Sequence, residues 1–492
     1  MQDMATTTDR HAETIDVLII GAGLSGIDAA YRVQTECPHL SYAILEARDA
    51  IGGTWDLFRY PGIRSDSDMV TLGFPFRPWR GKTSIVAGDA IRRYVVDTAS
   101  EFGIDRHIRF HTRMTGAAWS SRTARWTVDI ETASGTRQIT ARFLYMASGY
   151  YDYAGGFTPD FPGLSDFAGK VVHPQHWPED LDYSGKRVVV IGSGATAITL
   201  VPSLLPKADH VVMLQRSPTY IVEQPAADPN AAKLRKVLPT ALSDWVVRWK
   251  NVGFGIVTYR MARKHPEKMK KILLDRVRDS VGPEHYDPRD FTPRYNPWDQ
   301  RICVVPDGDL FAAIRSGQAE VVTGTIKRFV AEGIELDDGQ TLKADIVVTA
   351  TGLKLQMFGG ATLSVDGKDV STAGRLMYRG LMLEGIPNFA FAFGYTNASW
   401  TLKCDLSARY FCRVLNHMEK RGEVAFVPRA NGAEGSAPMV ALASGYVQRA
   451  ADALPRQGEA APWKLHQNYL FDKLDLEWKS IDDGVLTFTK AA

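Results

Sequence analysis

The stretch Ile15-Asp-Val-Leu-Ile-Ile20-Gly21-Ala-Gly23-Leu-Ser-Gly26 decides the fold. A short apolar run of strand type enters a turn with G-x-G-x-x-G spacing. A helical stretch follows, and then a second strand-like run, Ser41-Tyr-Ala-Ile-Leu45. Strand, turn, helix and strand in this order make a βαβ unit. The first glycine of such a turn permits the sharp bend, the second lets the backbone approach a pyrophosphate, and the third lets the helix pack closely on the strand. The open N–H groups and partial positive charge of the helix start then favour phosphate. Gly21, Gly23 and Gly26 are the first candidate nucleotide contacts.

The pattern recurs. Lys186-Arg-Val-Val-Val-Ile191 runs into Gly192-Ser-Gly194-Ala-Thr-Ala197, and Val211-Val-Met-Leu214 is the second strand of that unit. Here Gly192, Gly194, Ala195 and Thr196 are the candidate contacts, and Ala197 takes the place of the third glycine. The two units differ downstream. Glu46 ends the second strand of the first unit, where a carboxylate accepts hydrogen bonds from ribose hydroxyls. The equivalent stretch of the second unit, Gln215-Arg216-Ser217, has no acid but offers a guanidinium for a 2′-phosphate. The expectation is FAD in the first site and NADPH in the second, the latter held in part by Arg216 and Ser217.

Composition narrows the class. The chain has 492 residues, 45% hydrophobic, which calls for more than one core. A formal net charge of +2 gives no reason to invoke nucleic acid. Four cysteines without a C-x-x-C pair argue against zinc ribbons and redox dithiols, and fit a reducing cytoplasm. Residues 1–14 lack the apolar core of a signal peptide. The apolar run nearest to transmembrane length, 241–259, is interrupted by Asp244, Arg248 and Lys250.

The fold class expected is α/β, with two Rossmann-like dinucleotide-binding domains. A discontinuous FAD domain takes residues 1–149 and 350–492, and an NADPH domain, 150–218 and 296–349, is inserted into it. A helical insertion, 219–295, interrupts the NADPH domain in turn. Trp245, Trp249 and Phe254 with Arg260, Arg263 and Lys264 make this insertion either an ordinary helix with a solvated basic face or a weak peripheral contact with a membrane.

Two further motifs carry chemistry. Gly52-Gly53-Thr54-Trp55 followed by Tyr60-Pro61-Gly62-Ile-Arg64-Ser-Asp66 reads G-x-W-x-x-x-x-Y-P-G-x-x-x-D. Gly53 and Thr54 suit a loop passing close to a flavin, and Trp55 and Tyr60 suit walls for its ring or core packing. Between the two βαβ units, Phe167-Ala-Gly169-Lys-Val-Val-His173-Pro-Gln-His-Trp177-Pro178 reads F-x-G-x-x-x-H-x-x-x-W-P.

With both motifs complete, the chain resembles the type I Baeyer–Villiger monooxygenases. Asn296-Pro-Trp-Asp-Gln-Arg301 and Gly394-Tyr-Thr-Asn-Ala-Ser-Trp400 are most similar to the branch that contains the mycobacterial ethionamide-activating monooxygenase. The resemblance implies an enzyme that uses NADPH and O2 to form a flavin peroxide, which attacks a ketone and yields an ester or lactone through a tetrahedral adduct. Open-chain or aryl ketones and sulfides are the implied substrates. It assigns Arg301 as the cation that stabilises the peroxide and the adduct, and Asp66 as the carboxylate that orients Arg301. It places His173 in an interdomain linker rather than in a general-base role, with Gly149 and Gly352 as hinges. Gln300 departs from the lysine that many members carry there, which touches one NADPH phosphate contact and not the chemistry. The alternative is a flavin monooxygenase acting mainly on nitrogen or sulfur; the Trp177-Pro178 pair and the Tyr60 to Asp66 segment count against it.

Overall fold

The computed structural model describes residues 13–433, 435 and 437–491. Most of the N-terminal stretch considered for a leader, residues 1–12, lies outside them. In chain order the elements that position the site begin with β1 (Thr14–Ile20), α1 (Leu24–Glu36) and β2 (Tyr42–Leu45). A meander of β3 (Arg113–Ser120), β4 (Arg125–Thr132) and β5 (Gly135–Met146) follows. Next come β6 (Lys170–Val172), β7 (Arg187–Ile191), α2 (Ala195–Leu204) and β8 (His210–Gln215). Two helices, α3 (Thr240–Lys264) and α4 (Pro266–Val281), lead to α5 (Asp309–Arg315), β9 (Ala319–Thr323) and β10 (Ile346–Thr349). The chain closes with β11 (Phe389–Phe391), α6 (Trp400–Arg421) and α7 (Tyr469–Trp478).

β1 lies between β2 and β5, parallel to both, in a nine-stranded sheet that also takes in Thr362–Val365 and β11 from the C-terminal part of the chain. Val17, Leu18 and Ile19 are fully buried, as strands covered on both faces must be. Each such side chain contributes about 1.5–3 kcal/mol on burial. α6 covers α1 on one face: the Arg32 Nε donates to Asp405 at 2.8 Å and the Trp400 indole N–H to the Ser25 hydroxyl at 3.0 Å.

The second sheet has five parallel strands in the order β9-β8-β7-β10-β6. The Phe167 to Pro178 motif therefore does more than link. Its residues Lys170–Val172 form the edge strand β6, and Phe167 is buried against Phe329 in that unit's core. Gly169 has no room for a side chain: a Cβ there would lie 2.4 Å from the Asp345 carbonyl oxygen. The insertion is helical through α3 and α4, but it begins with a strand, Ile221–Gln224, that pairs in parallel with Cys303–Pro306.

Candidate active site

The first turn fits a dinucleotide. α1 starts at Gly23 with no side-chain cap and no acid in its first turn, so its N-terminal N–H groups stay available for phosphate. A Cβ on Gly26 would sit 1.8 Å from the Gly21 carbonyl oxygen, so the helix can approach the turn only because this residue is glycine. Gly23 and Gly53 face each other, a Cβ on Gly53 lying 3.1 Å from the Gly23 Cα. Glu46 is buried at the end of β2 and aims at the same turn, accepting from the Ala22 N–H at 2.8 Å and the Arg48 N–H at 2.9 Å.

The second turn is built alike and is more open. α2 starts at Gly194 without a side-chain cap or an acid in its first turn, and a Cβ on Gly194 would meet nothing within 4 Å. Ala195 is exposed beside it, and Ser217 is tied to the turn by the Ser193 hydroxyl, which donates to the Ser217 carbonyl at 2.9 Å. Arg216, just past β8, is exposed and makes no ion pair among the described residues, so its guanidinium is free for an anion.

The loop Tyr60 to Asp66 ties one unit to the other. Of the two readings of Tyr60, a ring wall or core packing, the structure shows packing in the core of the second unit, and its hydroxyl meets the Thr196 side chain at the start of α2. Burial pushes its phenol up to about 12, so it stays protonated. Gly62, at φ +76°, lies against α2, where a Cβ would fall 1.8 Å from the Ser203 Oγ. Arg64 pairs with Asp309 at the start of α5. Trp55 is half-buried against the core of the first unit, and the Thr54 hydroxyl lies 3.4 Å from that of Tyr153.

The last contact of this loop brings together two residues 235 positions apart: Arg301 and Asp66 form an ion pair at 3.0 Å. Both side chains remain about one-third exposed, so the pair is open to solvent rather than part of the solid core. The Asp66 carboxylate raises the guanidinium pKa further. Arg301 is presented by a strained turn. Trp298 has φ +71°, a region that costs a bulky side chain energy, and the Asp299 carboxylate closes the turn on the Asn296 N–H at 3.0 Å. α3 buttresses the turn through Arg263 on Asp299 at 2.6 Å and Tyr259 edge-on to Trp298. Cys303, two residues on, is buried and pushed up to about 12, so it remains a thiol and no competing nucleophile.

Sequence reasoning missed the surroundings of Arg301. Tyr150, Tyr151 and Tyr446 all lie within electrostatic range of it. The Tyr150 and Tyr151 hydroxyls meet at 3.0 Å, and Tyr150 stacks on Trp400 at 5.2 Å. These residues come from the first crossover and the C-terminal part of the chain, and no spacing rule links them. The role of Asp56 also went unread. It is 1% exposed and is held by Arg48 at 2.6 Å and Arg59 at 2.9 Å, which fixes the loop carrying Gly53.

His173 keeps both nitrogens occupied. Nδ1 accepts from the Gln175 N–H at 3.1 Å, which leaves Nε2 as the donor to the Gly352 carbonyl at 3.2 Å. Burial lowers its pKa. It sits on the chain crossing at Gly352, φ +111°, and the other crossing, Gly149, has φ +70°.

Two glycine turns, one on a mixed sheet and one on a parallel sheet, together with an arginine–carboxylate pair, define a two-dinucleotide flavoprotein architecture. The chain belongs to the flavin-binding monooxygenase-like family, whose model matches residues 14–281. It is 53% identical over 481 residues to the FAD-containing monooxygenase EthA of Mycobacterium tuberculosis, covering 97% of this chain and 98% of that one. It is 47% identical over 480 residues to the probable FAD-binding monooxygenase AlmA of Acinetobacter baylyi, covering 97% and 96%. Among solved structures, oxidized steroid monooxygenase bound to NADP has the same fold, with a TM-score of 0.73 at 22% identity, covering 97% of this chain and all of that one. Among the described residues no group of side chains is placed to hold a metal, and no helix is long and apolar enough to cross a membrane.

Proposed function

We propose that the protein is an FAD-containing, NADPH- and O2-dependent monooxygenase that converts open-chain aliphatic or aryl ketones to esters or lactones and also oxidises sulfides. The observation that carries this reading is the Arg301–Asp66 ion pair, partly open to solvent and joining residues 235 positions apart. Further support comes from the family and from the two uncapped, acid-free helix starts at Gly23 and Gly194.

When bound, the flavin supplies activated oxygen from O2 at the expense of the nicotinamide. The chain supplies placement and charge. Gly21, Gly23 and Gly26 admit a pyrophosphate to the start of α1, with Glu46 toward the ribose and Gly53 and Thr54 over the same turn. Gly192, Gly194, Ala195 and Thr196 do the same at α2, and Arg216 and Ser217 take the 2′-phosphate. Oxygen insertion into a ketone builds negative charge on oxygen, and a fixed guanidinium that cannot lose its proton stabilises it without reorganising. Arg301 is that cation, and Asp66 holds its orientation.

Product analysis tests the reading. Ketones and thioethers are supplied with NADPH and O2, and products are identified by mass spectrometry. Ester formation that disappears in Arg301→Ala is the expected result. A broad ketone panel that yields no ester, with amines or sulfides oxidised instead, would transfer the chain to the nitrogen- and sulfur-oxidising alternative.

A further inference from the structure

The described residues expose ten large hydrophobic side chains, and eight of them lie on α3 or α7. Trp245, Phe254 and Val257 on α3 are each about 60% exposed or more, as are Leu474 and Trp478 on α7, with Phe471 about half exposed. The two helices are neighbours although more than 200 residues separate them. Trp249 packs against Tyr469 at 5.7 Å, and the Arg260 guanidinium lies over the Phe471 ring at 5.4 Å. Scattered apolar residues on a surface need no explanation; a patch of this size gathered on two adjoining helices does.

Charge distinguishes the occupants such a patch could have. Residues 240–281, which span α3 and α4, carry ten Lys or Arg and four Asp or Glu, a net +6 in a chain whose total is +2. The acids of α7 do not offset this at the surface. Asp472 pairs with Lys403, Asp475 with Arg379 and Lys479, and Glu477 with Lys473 and Arg409. A second copy meeting this face about a two-fold axis would bring the same basic segment against itself. An anionic surface would be attracted by it. Tryptophan and phenylalanine beside lysine and arginine are also the residue types that settle into the headgroup region of a bilayer.

We infer that α3, α4 and α7 form a docking face for a bilayer carrying anionic headgroups, with Trp245, Leu474 and Trp478 entering the interface and the lysines of α4 meeting the headgroups. A cavity of about 680 Å³ adjoins this face. Trp245, Trp249, Tyr469, Phe74 and Trp79 are among its lining residues, with Arg248 among the cations in its wall. Its apolar and cationic lining suits an amphiphile reaching it from the docked surface.

Flotation of the FAD-loaded full chain with vesicles tests the inference. Flotation should be strong with vesicles containing phosphatidylglycerol, weak with phosphatidylcholine alone, and reduced by salt. Trp245→Ser/Leu474→Ser/Trp478→Ser should bind phosphatidylglycerol vesicles at least ~10-fold more weakly. Its NADPH oxidation in solution and its thermal unfolding should match the wild type, since none of these residues touches the nucleotide turns. Lys264→Glu/Lys268→Glu/Lys271→Glu should lose the preference for phosphatidylglycerol and serves if the first variant folds poorly. In the wild type, brominated phosphatidylglycerol should quench a part of the tryptophan emission. The inference is overturned if the wild type does not float, if it floats equally with both lipids, or if the apolar variant floats like the wild type. It is equally overturned if light scattering finds a dimer that the apolar variant dissociates while vesicle binding persists.

Discussion

Arg301 reaches Asp66 across 3.0 Å from a turn that α3 holds in place, so this cation is fixed at both ends: a carboxylate on the first unit and a helix of the insertion behind it. A preorganised charge of this kind does its work without moving. Arg301→Ala should lower kcat for ester formation by ~100-fold or more, the loss typical of one such donor. Asp66→Ala should lower kcat more than it raises KM, because it frees the guanidinium without removing it, and Asp66→Glu should restore part of the loss. Steady-state kinetics with product quantification distinguishes these outcomes. An Arg301→Ala variant with wild-type ester yield would remove the basis of the proposed function.

Arg216 stands free beside the second turn, and no acid follows β8 to bind a ribose hydroxyl. Arg216→Ala should raise the KM for NADPH about 10- to 100-fold, corresponding to a lost hydrogen bond to a charged group, and leave the poorer KM for NADH unchanged. Equal losses with both nucleotides would place Arg216 outside the 2′-phosphate site.

Gly62 combines a φ of +76° with contact on α2, so any side chain there meets Ser203. Gly62→Ala should destabilise the folded chain by about 1–3 kcal/mol through strain and overpacking. It should also perturb the Arg301–Asp66 pair, because the same loop carries Asp66. Chemical denaturation combined with kcat reads both effects. Loss of stability with unchanged kcat would show that the loop tolerates displacement upstream of Asp66.

Asp28 is fully buried on α1 beside Asp405, which Arg32 already engages. Two carboxyls that meet with one cation between them are satisfied only when one keeps its proton. Burial and the Asp405 charge raise the Asp28 pKa well above its usual range. The folded chain therefore holds a proton that the unfolded chain releases. That contribution is full below the unfolded value near 3.9 and is lost as pH rises through the folded value. Asp28→Asn keeps the donor without the titration, so it should raise the melting temperature at neutral pH and weaken the decline of stability toward alkaline pH. Melting curves from pH 5 to 9 test this, and a lower melting temperature for the variant at every pH would contradict it.

The two βαβ units, their glycine turns and the Glu46 and Arg216 contrast were all readable along the chain. Each depends on residues within about thirty positions of one another, where backbone geometry leaves few choices. The pairing of Arg301 with Asp66 was expected only through resemblance, and the distance is a property of the folded chain. Which of its two readings Tyr60 takes was not readable. A ring six residues before Asp66 can turn to either side, and the folded chain seats it in the apolar core that includes α2. The same holds for the half-hidden role of Phe167 to Pro178. A strand edge is recognised by its partner, here β10, whose Ile346 pairs with Lys170.

By itself the sequence determined which local units form, because turn geometry, helix starts and hydrophobic period are set by neighbours in the chain. Only the tertiary structure decided what those units bring together. Arg301 beside Asp66, Tyr150 stacked on Trp400, and α7 laid against α3 join segments far apart along the chain. Each rests on burial of apolar surface between elements, a non-directional force that leaves no spacing signature in the sequence.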